Sequence, residues 1–494
     1  MLPARASRRR GCRPERPGVQ VPSFSFLAAA VLAALLHGLS SDQRWRSGVL
    51  LVLNLGFLLT FTREPLQLAP YAAFLLLGFA FIRRIGAGAP AWTRAACILA
   101  ILAGFFWLKR YSFLPDALFL PFSYLTVGLS YVFFRVLHLA LDAREDPQAG
   151  RIGLLQYLNY TLNFTALVSG PIQRFQDYQR MTGPAPAPLG LTQLGVAAER
   201  IVAGLFKFTV LAAVVQLAQR HLAATLPADA WQAAACAALL TAAYPVYLFF
   251  NFSGYTSFVI GVARLFRISL PENFNQPFRA PSFIEYWSRW HMSLSNWLKA
   301  YVYNPLLLHA ARRVRNPKSL PYLGAGALFV TFFLIGVWHG RTWNFFVFGV
   351  LNGAGVALNQ AYRIWLAALL GRPAATRLSR QPLYVFVARG LTFSWVAFTL
   401  LWFWSDWPEL SRYARGLGAG GLTAAAAMLI LGGCVMLGLL QALRVAAMRL
   451  AVGGQPLLTS RYVRTVWATL MLMAVLAVTL VTRGGGGDVV YKGF

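Results

Sequence analysis

Between Lys318 and Arg341 the chain runs for 22 residues without an aspartate, glutamate, lysine or arginine. A helix of that length, at about 1.5 Å per residue, matches the roughly 30 Å hydrocarbon core of a bilayer. Similar runs recur along the chain, and they account for a composition that is 58% hydrophobic and only 12% charged. Soluble domains carry about a quarter charged residues. The pattern therefore excludes a disordered chain, fits poorly with a soluble enzyme, and reads as an all-α multi-span membrane protein. The charge balance is extreme, with 45 Lys and Arg against 15 Asp and Glu. A nucleic-acid binder shares such a charge but not the uncharged runs. In a membrane protein the excess cations mark cytoplasmic loops and juxtamembrane ends facing anionic lipid. The bilayer is the expected partner, and no nucleic acid is expected.

Apolar stretches place candidate membrane segments at 24–40, 47–62, 65–82, 95–108, 117–139 and 152–170. Beyond a loop with Pro184, Pro186 and Pro188 they continue at 192–219, 230–266, 321–339, 343–362, 384–405, 419–442 and 465–482. The stretch 230–266 is long enough for two segments, with a break expected near Phe252–Gly254. This gives 11–14 segments, some re-entrant, in a helical bundle. The organisation reads as a basic tail over 1–23, N-terminal helices over 24–142, a core over 150–362 and C-terminal helices over 384–482. Arg5, Arg8, Arg9, Arg10, Arg13 and Arg16 precede the first run, which is expected to be an uncleaved span with its basic tail in the cytoplasm. Cys12, Cys97, Cys236 and Cys434 are scattered, and neither a metal site nor a disulfide framework is expected from them.

The segment 269–318 is neither a simple span nor a soluble domain. Pro271 and Pro277 forbid a regular helix at its start. From Phe283 to Tyr301 the spacing predicts a helix. Glu285, Arg289, Ser293, Asn296 and Lys299 fall on one stripe, with Glu285 and Arg289 placed to pair. Trp287, Trp290, Leu294, Trp297, Leu298 and Tyr301 form the opposite face, which suits a helix at the interface or packed under a bundle. His291 falls at the edge of the apolar face, and an anchoring role does not explain it.

Of six histidines, His37, His221 and His309 lie at ends of apolar runs, where solvated or structural roles suffice. His138 reads as a hydrogen-bonded interior residue. His339 ends the long uncharged run, and an ionisable ring at membrane depth is a functional candidate by default. From this context alone a satisfied structural histidine and a reactive one remain equally open. There is no GxSxG elbow, Walker loop or HExxH motif. Acids are nearly absent from the runs, which leaves histidine as the available general base.

Five motifs occur in order: Ser169-Gly170-Pro171-Ile172-Gln173-Arg174, Phe250 to Tyr255, Pro271 to Phe278, Glu285 to Ser295, and Gly336-Val337-Trp338-His339-Gly340. Together they resemble the membrane-bound O-acyltransferase family, in the bacterial branch that includes alginate O-acetylation and teichoic acid D-alanylation proteins. The specific resemblance covers roughly 150–360. It implies a helical bundle around a tunnel in the bacterial cytoplasmic membrane, where an activated acyl group meets a hydroxyl acceptor. It carries the family's catalytic histidine onto His339 and the histidine of its Arg-Trp-His motif onto His291. Asn296, Ser293, Arg289 and Trp338 are the candidates for binding or orienting substrate.

The implied reaction moves a short acyl group, most simply acetyl, onto an exported or cell-surface polysaccharide, with D-alanyl transfer to a cell-wall polymer as the alternative. No bound cofactor is implied. The donor is a co-substrate, acetyl-CoA or an acyl carrier thioester, and the implied protein partners are an extracytoplasmic polysaccharide-modifying protein or an acyl carrier protein. The chain departs from the branch at Asn251, Ser257 and Ala300, where acids are common. Those departures keep a scaffold role open beside the enzyme. A transporter is also open, but the chain lacks the repeats and buried acids that such a fold favours.

Overall fold

The computed structural model describes residues 19–482, apart from 63, 113, 183–188, 225–228, 315, 450, 453–454 and 457–459. The expected cytoplasmic tail and the three prolines of 184–188 lie outside the described residues. The helices are α1 (Phe24–Gly38), α2 (Gln43–Leu59), α3 (Ala69–Gly86), α4 (Ala91–Lys109), α5 (Leu129–Asp142), α6 (Pro147–Gly150), α7 (Leu154–Thr161) and α8 (Phe175–Thr182). Then come α9 (Leu191–Leu205), α10 (Ala212–Ala224), α11 (Ala230–Leu265), α12 (Phe283–Trp287), α13 (Met292–Leu298), α14 (Asn304–Arg313), α15 (Leu320–His339) and α16 (Trp343–Leu370). The chain continues through α17 (Arg372–Arg380), α18 (Pro382–Thr399), α19 (Leu401–Trp404), α20 (Trp407–Arg449) and α21 (Arg461–Val481). Apart from a two-residue antiparallel pair at Ala451–Val452 and Gln455–Pro456, the described architecture is all α. Among the described residues eight helical stretches are long and apolar enough to cross a membrane, one of them α9 running on into α10 and another α18 into α19, and α1 is a shorter apolar helix.

Three expected segments fold differently. Residues 230–266 form one unbroken helix, α11, rather than two. Gly254 does not break it but lets a neighbour approach: a Cβ there would stand 2.7 Å from the backbone N of Phe208, and one at Gly204 would meet Phe258 N at 2.5 Å. This is small-residue helix packing of the kind that membrane bundles favour. Residues 152–170 are not a span. After the eight-residue α7 the chain runs irregularly through 162–174, buried as far as Gln173.

Irregular backbone survives at membrane depth only where protein satisfies it, and here side chains do so. Arg135 on α5 donates to the carbonyls of Thr161 and Ala166, both at 2.8 Å. Tyr255 Oη accepts from Ser169 N, and Ser293 Oγ from Ile172 N. The third difference is the expected Phe283–Tyr301 helix, which is broken between α12 and α13 and passes through a π-helical turn at Lys299–Tyr303.

The helix ends separate by charge. Arg83 and Arg84 close α3, Arg264 closes α11, Arg312 and Arg313 close α14, and α17 carries Arg372, Arg377 and Arg380. Around them Gly86 packs against Gly150, Tyr301 donates to Asp142, and Arg389 donates to the Arg279 carbonyl. By the positive-inside rule, basic helix ends favour the cytoplasmic side.

Candidate active site

His339 is the last residue of α15, and the glycines around it set where that end lies. A Cβ at Gly336 would stand 2.2 Å from Gly349 Cα, so α15 and α16 meet backbone to backbone. A Cβ at Gly340 would overlap the Phe345 ring at 1.9 Å. The last carbonyls of a helix lack intrahelical donors, and α4 and the residues after it supply them. Lys109 Nζ donates to the Trp338 carbonyl, Tyr111 Oη to Val337 at 3.0 Å, and Ser112 Oγ to Arg341 at 2.5 Å.

His291 is positioned without a helix of its own. The chain leaves α11, returns through 268–282, and pairs Phe274 with Trp290 in an isolated antiparallel bridge. Asn275 N donates to the Arg289 carbonyl and Met292 N to the Asn273 carbonyl, both at 3.0 Å. Between these bonds His291 adopts left-handed backbone angles, φ 45° and ψ 50°. A non-glycine residue there is strained by about 1–3 kcal/mol, and the surrounding hydrogen bonds hold it. Burial keeps the His291 ring well below the ordinary histidine range, so it is neutral.

The two segments converge on one indole. Trp338 lies 4.6 Å from the His339 ring and 6.3 Å from the His291 ring, centroid to centroid. Phe252 stands edge-on to His291 at 4.9 Å, and Phe403 edge-on to His339 at 5.3 Å. Both histidines are buried. A small space of about 10 Å³ adjoins His339 between Trp287, Trp290, Phe348 and Phe403. That is room for about one water.

The other sequence candidates separate from this pair. Trp338 is central. Ser293 is buried but serves the scaffold, accepting from Ile172 N at 3.0 Å while its own N–H bonds Asn273 Oδ1. Arg289 pairs with Glu285 at 2.6 Å, as the spacing predicts, and bonds the Asn275 carbonyl. Asn296 is exposed and stands away from the buried rings. Trp287, Trp290, Leu294, Trp297 and Leu298 are buried as the apolar face requires. Asn251 is buried within α11, and Ser257 and Ala300 are half-buried.

His138 is the hydrogen-bonded interior residue expected from the sequence. Its Nε2 accepts from Phe175 N at 3.0 Å, which leaves Nδ1 to donate to Tyr301 Oη at 2.5 Å, and Tyr301 donates on to Asp142 at 3.0 Å. Lys109 was not among the candidates. Its position directly after an apolar run gave a signal, but a lysine there reads equally as a loop anchor. Among the described residues no group of three or more His, Cys, Asp or Glu stands together as a metal site.

The model of the membrane-bound O-acyltransferase family matches residues 79–402. The chain is 30% identical over 291 residues to a probable alginate O-acetylase from Azotobacter vinelandii, covering 57% of this chain and 55% of that protein. It is 33% identical over 245 residues to a teichoic acid D-alanyltransferase from Streptococcus thermophilus, covering 48% and 57%. A longer match, 27% identical over 396 residues, joins it to a probable alginate O-acetylase from Pseudomonas aeruginosa, covering 76% and 70%. The first two alignments thus span little more than half of each relative's length.

Proposed function

Because the chain belongs to the membrane-bound O-acyltransferase family and is a multi-pass membrane protein, we propose that it transfers an acetyl group from a thioester to hydroxyls of an exported or cell-surface polysaccharide. The observation that carries the reading is the pair of buried histidines that both pack against Trp338. Transfer to an alcohol needs a base, a stabilised oxyanion and exclusion of water. In this reading a His339 ring nitrogen takes the acceptor's hydroxyl proton as that oxygen bonds to the thioester carbon. The carbonyl electrons move onto its oxygen, and His291 donates to or orients that oxyanion. Collapse of the intermediate breaks the carbon–sulfur bond, and the imidazolium returns its proton to the departing thiolate.

The base contributes about 10²–10⁴-fold. The aromatic walls keep bulk water from hydrolysing the thioester. Lys109, bonded to the Trp338 carbonyl, holds its Nζ over the same ring at 5.7 Å. The donor in this reading is acetyl-CoA or an acyl carrier thioester, and an extracytoplasmic polysaccharide-modifying protein or an acyl carrier protein works with it.

The test is the acyl content of exported polymer from cells carrying wild-type or His339→Ala protein at matched membrane levels. Acetyl esters in wild type and none in the variant support the reading. D-alanyl esters lost in the same way move the donor to the alternative class, as similarity to D-alanyltransferases allows. Equal acylation in both strains overturns it.

A further inference from the structure

Apart from the histidine pair, a cavity of about 460 Å³ lies between the α1–α2 turn, the start of α7, the end of α8 and the end of α11, and its arginines favour the cytoplasmic side by the positive-inside rule. Three arginines converge on it from two distant parts of the chain: Arg44 and Arg46 from the first turn of α2, and Arg267 from the turn after α11. The other polar groups lining it include Ser47, Gln156 and Asn159, and no Asp or Glu stands among the described residues that line it. Arg46 is nine-tenths buried. Its Nε donates to the Ser40 carbonyl at 2.9 Å, and it forms no ion pair with a described acid.

Burying a guanidinium away from any carboxylate is costly unless an anion completes the site. Burial and the nearby Arg46 charge both hold the Arg267 guanidinium below the ordinary arginine range. Its backbone also adopts a left-handed conformation, φ 62°.

We propose that this cavity is a binding site for a phosphate ester, held by Arg44, Arg46 and Arg267. Guanidinium forks match phosphate oxygens two at a time, and several forks around one anion give both charge and geometry. The volume exceeds what inorganic phosphate fills and suits a headgroup-sized ester. Two sources share this chemistry on the cytoplasmic side: the headgroup of an anionic phospholipid in that leaflet, where basic pockets between helices favour such lipids, and a soluble phosphate ester from the cytosol. The inference stands apart from the acyl-transfer reading, because it concerns residues that touch neither histidine.

The experiment measures thermal stabilisation of purified full-length protein by three probes: phosphatidylglycerol in nanodiscs against phosphatidylcholine alone, coenzyme A, and inorganic phosphate. The site predicts stabilisation by at least one phosphate probe. Arg46→Gln or Arg267→Gln weakens its apparent affinity about tenfold or more, as loss of a charged hydrogen bond does, while exposed Arg372→Gln leaves it unchanged. Stabilisation by phosphatidylglycerol alone assigns the lipid source, and stabilisation by coenzyme A in a phosphatidylcholine background assigns the soluble one. If a buried-arginine variant fails to fold, Arg44→Gln, altered at an exposed position, makes the same comparison. Response to none of the probes, or equal response in wild type and all cavity variants, overturns the proposal.

Discussion

His339 ends a 20-residue helix whose place is fixed by glycines, whereas His291 stands in a broken segment fixed by hydrogen bonds to distant parts of the chain. The first construction is local: Gly336 and Gly349 set the crossing of two consecutive helices, and the ring follows. The second draws on Asn273, Arg289 and the irregular run 162–174, elements far apart in sequence. The difference teaches that a change at the helix end can separate chemistry from folding, while a change in the broken segment disturbs both. The outer helices set the scale of that contrast. Only 17% and 11% of the spanning windows of α20 and α21 are buried, against 44% for α11.

The comparison is broken most severely at the helix crossing. Gly336→Leu puts a side chain where a Cβ alone would lie 2.2 Å from Gly349, so folded protein should largely disappear from size-exclusion profiles. A monodisperse variant with wild-type yield would show that α15 and α16 are not locked at this point. Trp290→Ala is next. It removes a buried indole stacked on Tyr286 and edge-on to Phe274 and should cost about 3–5 kcal/mol, lowering melting temperature and activity together.

Lys109→Met keeps the side chain's bulk but leaves the buried Trp338 carbonyl without its donor, a loss of about 1–3 kcal/mol. Transfer should fall while the protein still inserts. A full-rate Lys109→Met enzyme would confine that lysine to packing. The smallest effects come from a matched pair. Ser293→Ala strips the partner from Ile172 N and should cost about 1–2 kcal/mol, while exposed Asn296→Ala should stay within about 0.5 kcal/mol of wild type. Equal melting temperatures for the two would deny that the broken segment is held by its side-chain bonds.

Much of this was legible in the sequence where a local rule decides the outcome. The uncharged run before Arg341 is a helix ending at His339, the prolines of 271–277 exclude a regular helix, and the Glu285–Arg289 pair forms. The failures arise where a distant partner overrides the local pattern. Residues 283–301 have helical spacing throughout, but Met292 N bonds a carbonyl 19 residues earlier and turns His291 out of the helix. Hydropathy made 152–170 a span because it cannot distinguish lipid from protein interior, and buried Arg135 is what makes the protein interior possible there. Gly254 read as a break because its use, contact with Gly204 on another helix, is invisible from its own neighbours.

The most direct test of the histidine pair is transfer from a labelled acetyl thioester to polymer by purified protein in proteoliposomes. Wild type, His339→Ala and His291→Ala are compared at equal folded amounts. His339→Ala should melt close to wild type and lose transfer by at least about 10²-fold. His291→Ala should lose transfer and also melt lower, because its ring packs against Phe252 and its backbone is held in strain. Transfer at the wild-type rate by folded His339→Ala would contradict the account.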